Sequence, residues 1–329
     1  MIDLPIVFLF LMGLSVLLYV VLDGYDLGVG MLMPAATEDE QSVMVASIAP
    51  FWDANETWLV LGVGILLAAF PVAHGMVLSA LYLPVVAMLV GLMLRGVAFE
   101  LRIKAEGWHR DLWNWLFWAG SFAASFFQGV MLGRYITGFE SGFLYWMFAL
   151  LVGASLCGGY VLLGATWLTW KTEGALQRKS IAWTRWGLLW VALGVLLVSM
   201  ATPLISETVR DKWFTFPRAF FVMLLPAATF AMGVWSWVMT GRMKAGDTSR
   251  DWRPFVAAVS IFTLAFLGLA YSIFPYVVID KLTAWEAAAH PSALKVLLIG
   301  AVVVLPFIVA YTALSYRIFR GKAKAGLYD

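Results

Sequence analysis

Residues 5–30, PIVFLFLMGLSVLLYVVLDGYDLGVG, decide the fold class of this chain. The run from residue 5 to residue 22 is almost wholly apolar, and its length approaches the roughly 20 residues that a helix needs to cross a bilayer. Two carboxylates, Asp23 and Asp26, follow at once. Charges beside a membrane span are costly, and they persist mainly where they pair, meet water or carry protons. The stretch therefore predicts a membrane helix with a polar site at its end.

The rest of the chain repeats the apolar pattern. Hydrophobic residues make up 62% of the sequence and charged residues 13%, against about a quarter charged in soluble domains. The sequence predicts an all-α, polytopic membrane protein with nine transmembrane helices in one bundle, forming a single transmembrane domain over residues 1–329. The predicted spans are residues 5–22, 57–74, 76–95, 113–132, 143–167, 186–205, 219–239, 255–279 and 293–316. We expect a tight turn at His74 and Gly75 between the second and third spans. The net charge of +2 gives no sign of a nucleic-acid partner.

The basic residues predict the orientation of the bundle. With the N-terminus outside, sixteen of the 22 lysines and arginines fall in cytoplasmic segments. Cytoplasmic loops carry an excess of these residues. The sequence therefore predicts a periplasmic N-terminus and a cytoplasmic C-terminus.

The first inner loop departs from this rule, since it has acids and no lysine or arginine to neutralise them. Either something else covers this loop or its acids have a function. Asp23 and Asp26 would share a helix face if the first helix continued, and two close carboxylates discourage each other's ionisation. Such a pair can accept protons at the water edge, or it can simply end the helix among the lipid headgroups. The loop's seven acids are Asp23, Asp26, Glu38, Asp39, Glu40, Asp53 and Glu56.

A second polar stretch, PFWDANETW, occupies residues 50–58. Asp53 and Glu56 would lie in the first turn of a helix, where the helix dipole favours acids. This explains their position but not the crowding of aromatic and amide side chains around them. The alternative is a cavity walled by Trp52 and Trp58, with Asp53 and Asn55 supplying polar contacts.

A third polar stretch ends the third span, between Arg95 and Lys104. Glu100 and Lys104 stand four residues apart in the order that favours a helical ion pair. This end is either a solvated helix terminus or a funnel that passes protons to Asp53 or Asp26.

Metal and haem ligation by this chain are not expected. None of the three histidines lies in the middle of a span, and no two have metal-site spacing. Deep polar residues are few, chiefly Ser121, Ser125 and Gln128 in the fourth span. Protons could therefore reach the inner face, but they have no ionisable relay across the membrane. This pattern favours a subunit that passes protons sideways to a partner.

Four segments carry a resemblance to a known family. They are residues 23–30, residues 47–58 (SIAPFWDANETW), Arg95 with Phe99 and Glu100, and residues 274–276 followed by 282–286. In these segments, and in order over nearly the whole chain, the sequence resembles subunit II of the cytochrome bd-type quinol oxidases. The chain is short for that family and is similar to its short, cyanide-insensitive branch. Phe51 stands where many members have histidine, and Gly96 stands where some have proline.

The resemblance implies a bacterial inner-membrane protein that supports quinol oxidation and the reduction of dioxygen to water with cytoplasmic protons. It implies nine helices and a heterodimer with a subunit I that holds two b-type haems, one d-type haem and the quinol site. This chain would bind no haem. A structural quinone in this subunit and a small single-helix accessory subunit are left open, and membrane lipid surrounds the complex.

The resemblance also implies roles for individual residues. Asp26 and Asp53 are expected to lie on a proton pathway with Asp23 beside them, and Glu100 and Lys104 lie nearer its cytoplasmic entrance. Trp58 corresponds to a tryptophan near the mouth of an oxygen-access route, and Trp52 belongs to the same block. The residues expected to have structural or partner-binding roles are Arg95, Asn55 and Glu56.

Two other functions stay open from the residues alone. A proton-coupled secondary transporter would explain the many spans and the acids at the membrane edge. Transporters often show internal repeats and broken helices at mid-depth, and no convincing repeat is present. A purely structural scaffold for a haem-bearing partner is the third interpretation.

Overall fold

The computed structural model describes residues 3–324, and most of them are helical. The first half of the described chain contains α1 (Leu4–Leu32), a 3-10 turn (Met33–Ala35), α2 (Glu38–Ile48), α3 (Trp52–Ala69), α4 (Pro71–Ala80), α5 (Tyr82–Lys104) and α6 (Trp108–Ile136). The second half contains α7 (Phe143–Lys171), α8 (Gly174–Ile205), α9 (Glu207–Phe214), α10 (Arg218–Val222), α11 (Leu224–Lys244), α12 (Arg253–Ile273), β1 (Tyr276–Val278), β2 (Leu282–Thr283), α13 (Ala284–Ala287) and α14 (Pro291–Ile318). The strands β1 and β2 form an antiparallel hairpin.

Within residues 3–324, eight helical segments are long and apolar enough to cross a membrane. They are α1, α5, α6, α7, α8, α10 with α11, α12 and α14. The prediction of an all-α, multi-pass membrane protein is therefore confirmed. The second predicted span corresponds to α3, whose first turns hold Asp53, Asn55 and Glu56 and are polar for that reason. The helix α3 is not among the eight.

The predicted turn at His74 and Gly75 is wrong, because both residues lie inside α4. The chain bends instead at Phe70 and at Leu81, which have non-helical backbone angles. Pro71 follows Phe70, and a proline disfavours helical geometry in the residue before it. Pro84 lacks the N–H that would bond four residues back, which explains the second interruption.

The first helix does not end with its apolar run. It continues to Leu32, so Asp23 and Asp26 lie inside it and share a face, as the alternative reading of the sequence expected. Its last two turns cross α7 at very short range. A Cβ atom at Gly28 would lie 1.8 Å from the backbone oxygen of Tyr160, so only glycine fits there. Small residues allow such close approach of helices in membranes.

The helix α1 is the centre of the bundle and packs against α3, α6 and α7. The helices α5 to α8 pack in chain order, each against the next, and α11 packs against α12. The last helix, α14, lies at the edge against α1 and α3. Leu294 is its only fully buried residue among those described. Residues of α14 near its C-terminal end nevertheless reach the polar site described below.

Candidate functional site

Arg95 is the centre of the polar site, at the end of α1 that carries the carboxylates. Its side chain is fully buried, with 1% of the residue exposed. Nη1 donates to Asp23 Oδ1 at 2.6 Å, and Nη2 donates to Glu56. Asp23 is fully buried, whereas 29% of the Glu56 side chain is exposed. A buried charge requires such pairing, because an isolated ion is strongly disfavoured away from water.

The expectation that the acids lack a neutralising cation is therefore wrong. Arg95 comes from α5, far along the sequence from the acids that it pairs. Two further acids pair with cations of neighbouring helices: Glu38 with Arg110 at 3.1 Å, and Glu40 with Lys179 at 2.6 Å. Much of the acidic loop is thus covered by basic residues from other helices.

Asp26 has a different environment from Asp23. Its residue is 1% exposed, and Oδ2 accepts a hydrogen bond from Asn55 Nδ2 at 2.8 Å. Asp26 and Arg95 both line a narrow gap, together with Trp52 and the apolar side chains around it. The gap is too narrow for a water molecule in this conformation. Protons that reach Asp26 therefore need side-chain transfer or a transient opening of the gap.

The predicted cavity between the two tryptophans is only partly present. Trp52 lines the gap and packs on Phe99, with ring centroids 4.9 Å apart. Trp58 is buried but does not line the gap, and neither does Asp53, which is exposed in the first turn of α3. Asn55 does supply a predicted polar contact, because its amide donates a hydrogen bond to Asp26.

Glu100 and Lys104 lie together near the end of α5, and both are exposed. No salt bridge joins them among residues 3–324, so the expected ion pair is not formed. The buried cation at this end of α5 is Arg102, which donates to Asn114. Asn114 in turn donates to Gln41 at 2.8 Å and so connects α6 to α2. Sequence reasoning missed this second polar cluster.

Four tyrosines that sequence reasoning did not assign to a site also take part in buried hydrogen bonds. Tyr25 and Tyr316 join their hydroxyls at 2.6 Å, and Tyr316 donates to Asn55 Oδ1 at 3.3 Å. Deeper in the bundle, Gln128 donates to the hydroxyl of Tyr19 at 2.6 Å and accepts from that of Tyr160 at 2.7 Å. The deeper cluster could have been predicted from Gln128, because a buried amide needs hydrogen-bond partners.

The described part of the chain contains no group of three or more His, Cys, Asp or Glu placed to hold a metal ion. The groups that meet at the site are carboxylates, an arginine, an amide and phenols. Such groups can accept, hold and pass protons.

Glu40 offers a pH-dependent test of the covered acidic loop. Its carboxylate accepts from the backbone N–H of Thr37 at 2.8 Å and from Lys179 Nζ at 2.6 Å. Burial alone would raise the pKa of Glu40, but the Lys179 and Thr37 hydrogen bonds outweigh it, so that the pKa lies below its ordinary value of 4.5. Such a group adds stability that is complete above the ordinary pKa and is lost as the pH falls through the lowered one.

We therefore expect Glu40→Gln to reduce the free energy of unfolding at pH 7 by about 0.3–1 kcal/mol, the range of a partly exposed ion pair. The difference between wild type and variant should shrink below pH 4.5 and vanish at more acidic pH. Unfolding midpoints of the two proteins between pH 7 and pH 3.5 measure it. A difference between the two unfolding midpoints that increased as the pH fell would contradict the ion pair between Glu40 and Lys179.

These features define a class: a multi-pass helical membrane protein whose acidic end encloses a buried carboxylate, arginine and amide cluster. Comparison with known proteins identifies the member of this class. The model of the family "Cytochrome bd terminal oxidase subunit II" matches residues 4–319. The chain belongs to this family, and it is a subunit of a cytochrome bd terminal quinol oxidase.

Individual relatives agree with this assignment. The chain is 30% identical to "Cytochrome bd-I ubiquinol oxidase subunit 2" of Escherichia coli (strain K12), over 93% of this chain and 91% of the relative. It is 30% identical to "Cytochrome bd ubiquinol oxidase subunit 2" of Bacillus subtilis (strain 168), over 91% and 90%. A chain of the bd oxidase from Geobacillus thermodenitrificans has a similar fold, with a TM-score of 0.78, 18% identity, and coverage of 97% of this chain and 99% of that one.

Family membership settles several expectations. The protein is a multi-pass protein of the bacterial inner membrane and forms part of a respiratory quinol oxidase. As subunit II it has a partner, subunit I. Membership favours the oxidase-subunit interpretation over a secondary transporter and over a scaffold alone.

Proposed function

We propose that this subunit takes protons from the cytoplasm at its acidic end and passes them sideways into subunit I, where dioxygen is reduced. One observation carries the proposal: Asp23 and Asp26 are buried on one face of α1, next to acids that reach the surface. Buried ionisable groups of this kind in a membrane protein mark proton or ion paths. Glu56 connects the buried pair to the outside, because it shares Arg95 with Asp23 and is partly exposed.

In this proposal, Asp53, Glu100 and Lys104 form the cytoplasmic entrance. All three are exposed and lie at the same end of the bundle as Arg95. Trp58 is assigned to the wall of an oxygen-access route. It is an apolar, buried side chain of α3, 3% exposed, and it lies two turns at most from the acids of that helix.

The proposal includes the topology of the complete subunit. We take α3 as a ninth span, because it contains an apolar stretch beyond Trp58 and packs along α1. We put the N-terminus in the periplasm and the C-terminus in the cytoplasm, because cytoplasmic loops carry an excess of basic residues. The partner would hold two b-type haems and one d-type haem, as the family resemblance implies, and this chain would hold none.

The test is oxygen consumption by the purified heterodimer with quinol as reductant. We expect Asp26→Asn to slow turnover by about tenfold or more, since an amide cannot accept and release a proton as a carboxylate does. Asp53→Asn should slow it less, because an exposed acid at an entrance can be replaced by neighbouring water and acids.

The matched control is Asp39→Asn, which removes an exposed acid of the same loop outside the proposed path. It should leave turnover unchanged. Haem content shows that each variant is assembled. Normal turnover in an assembled Asp26→Asn complex would remove Asp26 from the pathway and leave the subunit a supporting role.

A further inference from the structure

The hydroxyl of Tyr316 lies at the polar site although α14 is the last and least buried helix of the bundle. Within the site it contacts two groups: the Tyr25 hydroxyl at 2.6 Å and Asn55 Oδ1 at 3.3 Å. Neither contact involves a carboxylate. Both bonds nevertheless affect Asp26, because Asp26 accepts a hydrogen bond from the other end of the Asn55 amide.

One arrangement of the protons gives each of the two hydroxyls both a donor and an acceptor. Asn55 Nδ2 has two protons and faces three acceptors: Asp26 Oδ2 at 2.8 Å, Tyr25 Oη at 3.1 Å and the Leu22 carbonyl at 3.2 Å. In this arrangement Tyr25 accepts from the amide and donates its own proton to Tyr316. Tyr316 then donates its proton to Asn55 Oδ1. The three side chains thus form a closed ring of hydrogen bonds in which every hydroxyl both donates and accepts.

The ring supports the orientation in which the amide nitrogen meets Asp26. Turning the amide over would place Oδ1 against the Asp26 carboxylate and the NH₂ group against the Tyr316 hydroxyl. That arrangement would lose the donor to Asp26 and oppose two acceptors. Tyr316 adds to this preference, because it supplies the only side-chain donor to Oδ1 among the described residues.

Aromatic packing holds both phenol rings in place. Tyr25 stacks on Trp167 with centroids 4.2 Å apart, and Tyr316 stacks on Phe51 at 4.4 Å. Phe51 and Trp167 also meet edge to face at 5.8 Å. The four aromatic side chains come from α1, α7, α14 and the residue before α3. The two tyrosine hydroxyls therefore have little freedom to leave the ring of hydrogen bonds.

The segment after α14 anchors this helix to α7. Lys171 Nζ donates to the Phe319 carbonyl at 2.7 Å, and the Ala323 N–H donates to the Lys171 carbonyl at 2.8 Å. Lys322 reaches the Trp170 carbonyl at 2.7 Å and Asp251 at 2.5 Å. These bonds lie directly beyond Tyr316 and compensate for the sparse packing of α14 elsewhere.

We propose that Tyr316 is a positioning residue for Asp26: through Tyr25 and Asn55 it keeps an N–H donor on the carboxylate. The kinetic consequence rests on the proton-delivery function proposed above, whereas the positioning itself does not. Loss of the Tyr316 hydroxyl leaves Asn55 Oδ1 without its side-chain donor, which loosens the amide and changes the hydrogen bond that Asp26 receives.

Infrared difference spectra of the assembled heterodimer test the positioning. The carboxyl bands of Asp26 are identified as those that disappear in Asp26→Asn. We expect Tyr316→Phe to shift these bands, because the stretching frequency of a carboxyl group depends on the donor that it receives. Tyr25→Phe should shift them in the same way, and the double variant should add nothing further, since both changes break one ring.

The matched control is Tyr311→Phe on the same helix, where the tyrosine is 61% exposed to the outside of the bundle. It should leave the Asp26 bands and turnover unchanged. Tyr316→Phe should lower kcat for quinol oxidation several-fold without changing KM for quinol. Unshifted Asp26 bands in both Tyr316→Phe and Tyr25→Phe would overturn the proposal. Normal turnover in Asp26→Asn would overturn only the proposed pathway, and the infrared result would still decide the role of Tyr316.

Discussion

Replacing Arg95 with glutamine is expected to lower the free energy of unfolding by about 3–5 kcal/mol, the usual effect of removing one partner of a buried ion pair. The penalty arises mainly at Asp23. This residue is fully buried and would be left with a charge that no cation balances. Glu56 would suffer less, because part of its side chain reaches the surface. The loss should appear as a lower unfolding midpoint and a lower yield of assembled heterodimer.

Two companion variants make this result specific. Arg242→Gln removes an exposed arginine from the end of α11 and should leave the midpoint nearly unchanged. Adding Asp23→Asn to Arg95→Gln should recover part of the loss, since it removes the unbalanced buried charge. If the single Arg95 variant were as stable as wild type, or if the second change made it worse, the ion pair would not be the source of the stability.

Replacing Gly28 with valine is expected to destabilise the protein by about 3 kcal/mol or more, at or above the upper end of the range for overpacked interiors. The first atom of the new side chain would lie 1.8 Å from the Tyr160 backbone oxygen and 2.9 Å from the Gly164 nitrogen. Backbone atoms cannot rotate away as a flexible side chain can. The helices α1 and α7 must therefore separate, and the segment that carries Asp23 and Asp26 must move with them.

The measurement is again the unfolding midpoint, together with oxygen consumption. Gly64→Val in α3 is the matched control, because nothing lies within 4 Å of a Cβ atom at that position. It makes the same change within a helix and should have a small effect. Equal losses in the two variants would mean that the strain of valine in a helix, rather than the contact between α1 and α7, explains the result.

The membrane architecture could be predicted from the sequence because it depends on local properties. Apolar runs of about twenty residues must be helical in lipid, where backbone groups have no other partners. The local breaks were harder to predict. His74 and Gly75 resemble a turn, but the prolines at 71 and 84 decide where the helix is interrupted. The polar start of α3 also separates it from the eight clearly apolar spans.

The site could be predicted only in part, because its pairings join distant residues. The acids of α1 were predicted, but the carboxylates of Asp23 and Asp26 pair with other residues instead of with each other. Arg95, 72 residues beyond Asp23, pairs with it, whereas Asn55 bonds to Asp26. Sequence periodicity reports which residues share a helix face and does not report which helix packs on that face. The assignment of the proton pathway and of the oxygen route stays a prediction.

The bond between Tyr25 and Tyr316 also has a consequence for biosynthesis, since these residues are 291 positions apart. At the usual 5–20 residues per second of translation, the ribosome adds Tyr316 roughly 15–60 s after Tyr25. Throughout that interval the nascent chain holds Asp26 in the membrane without its finished surroundings. A premature stop codon shortly before residue 316 would therefore yield a product with most of its helices inserted and Asp26 incompletely enclosed.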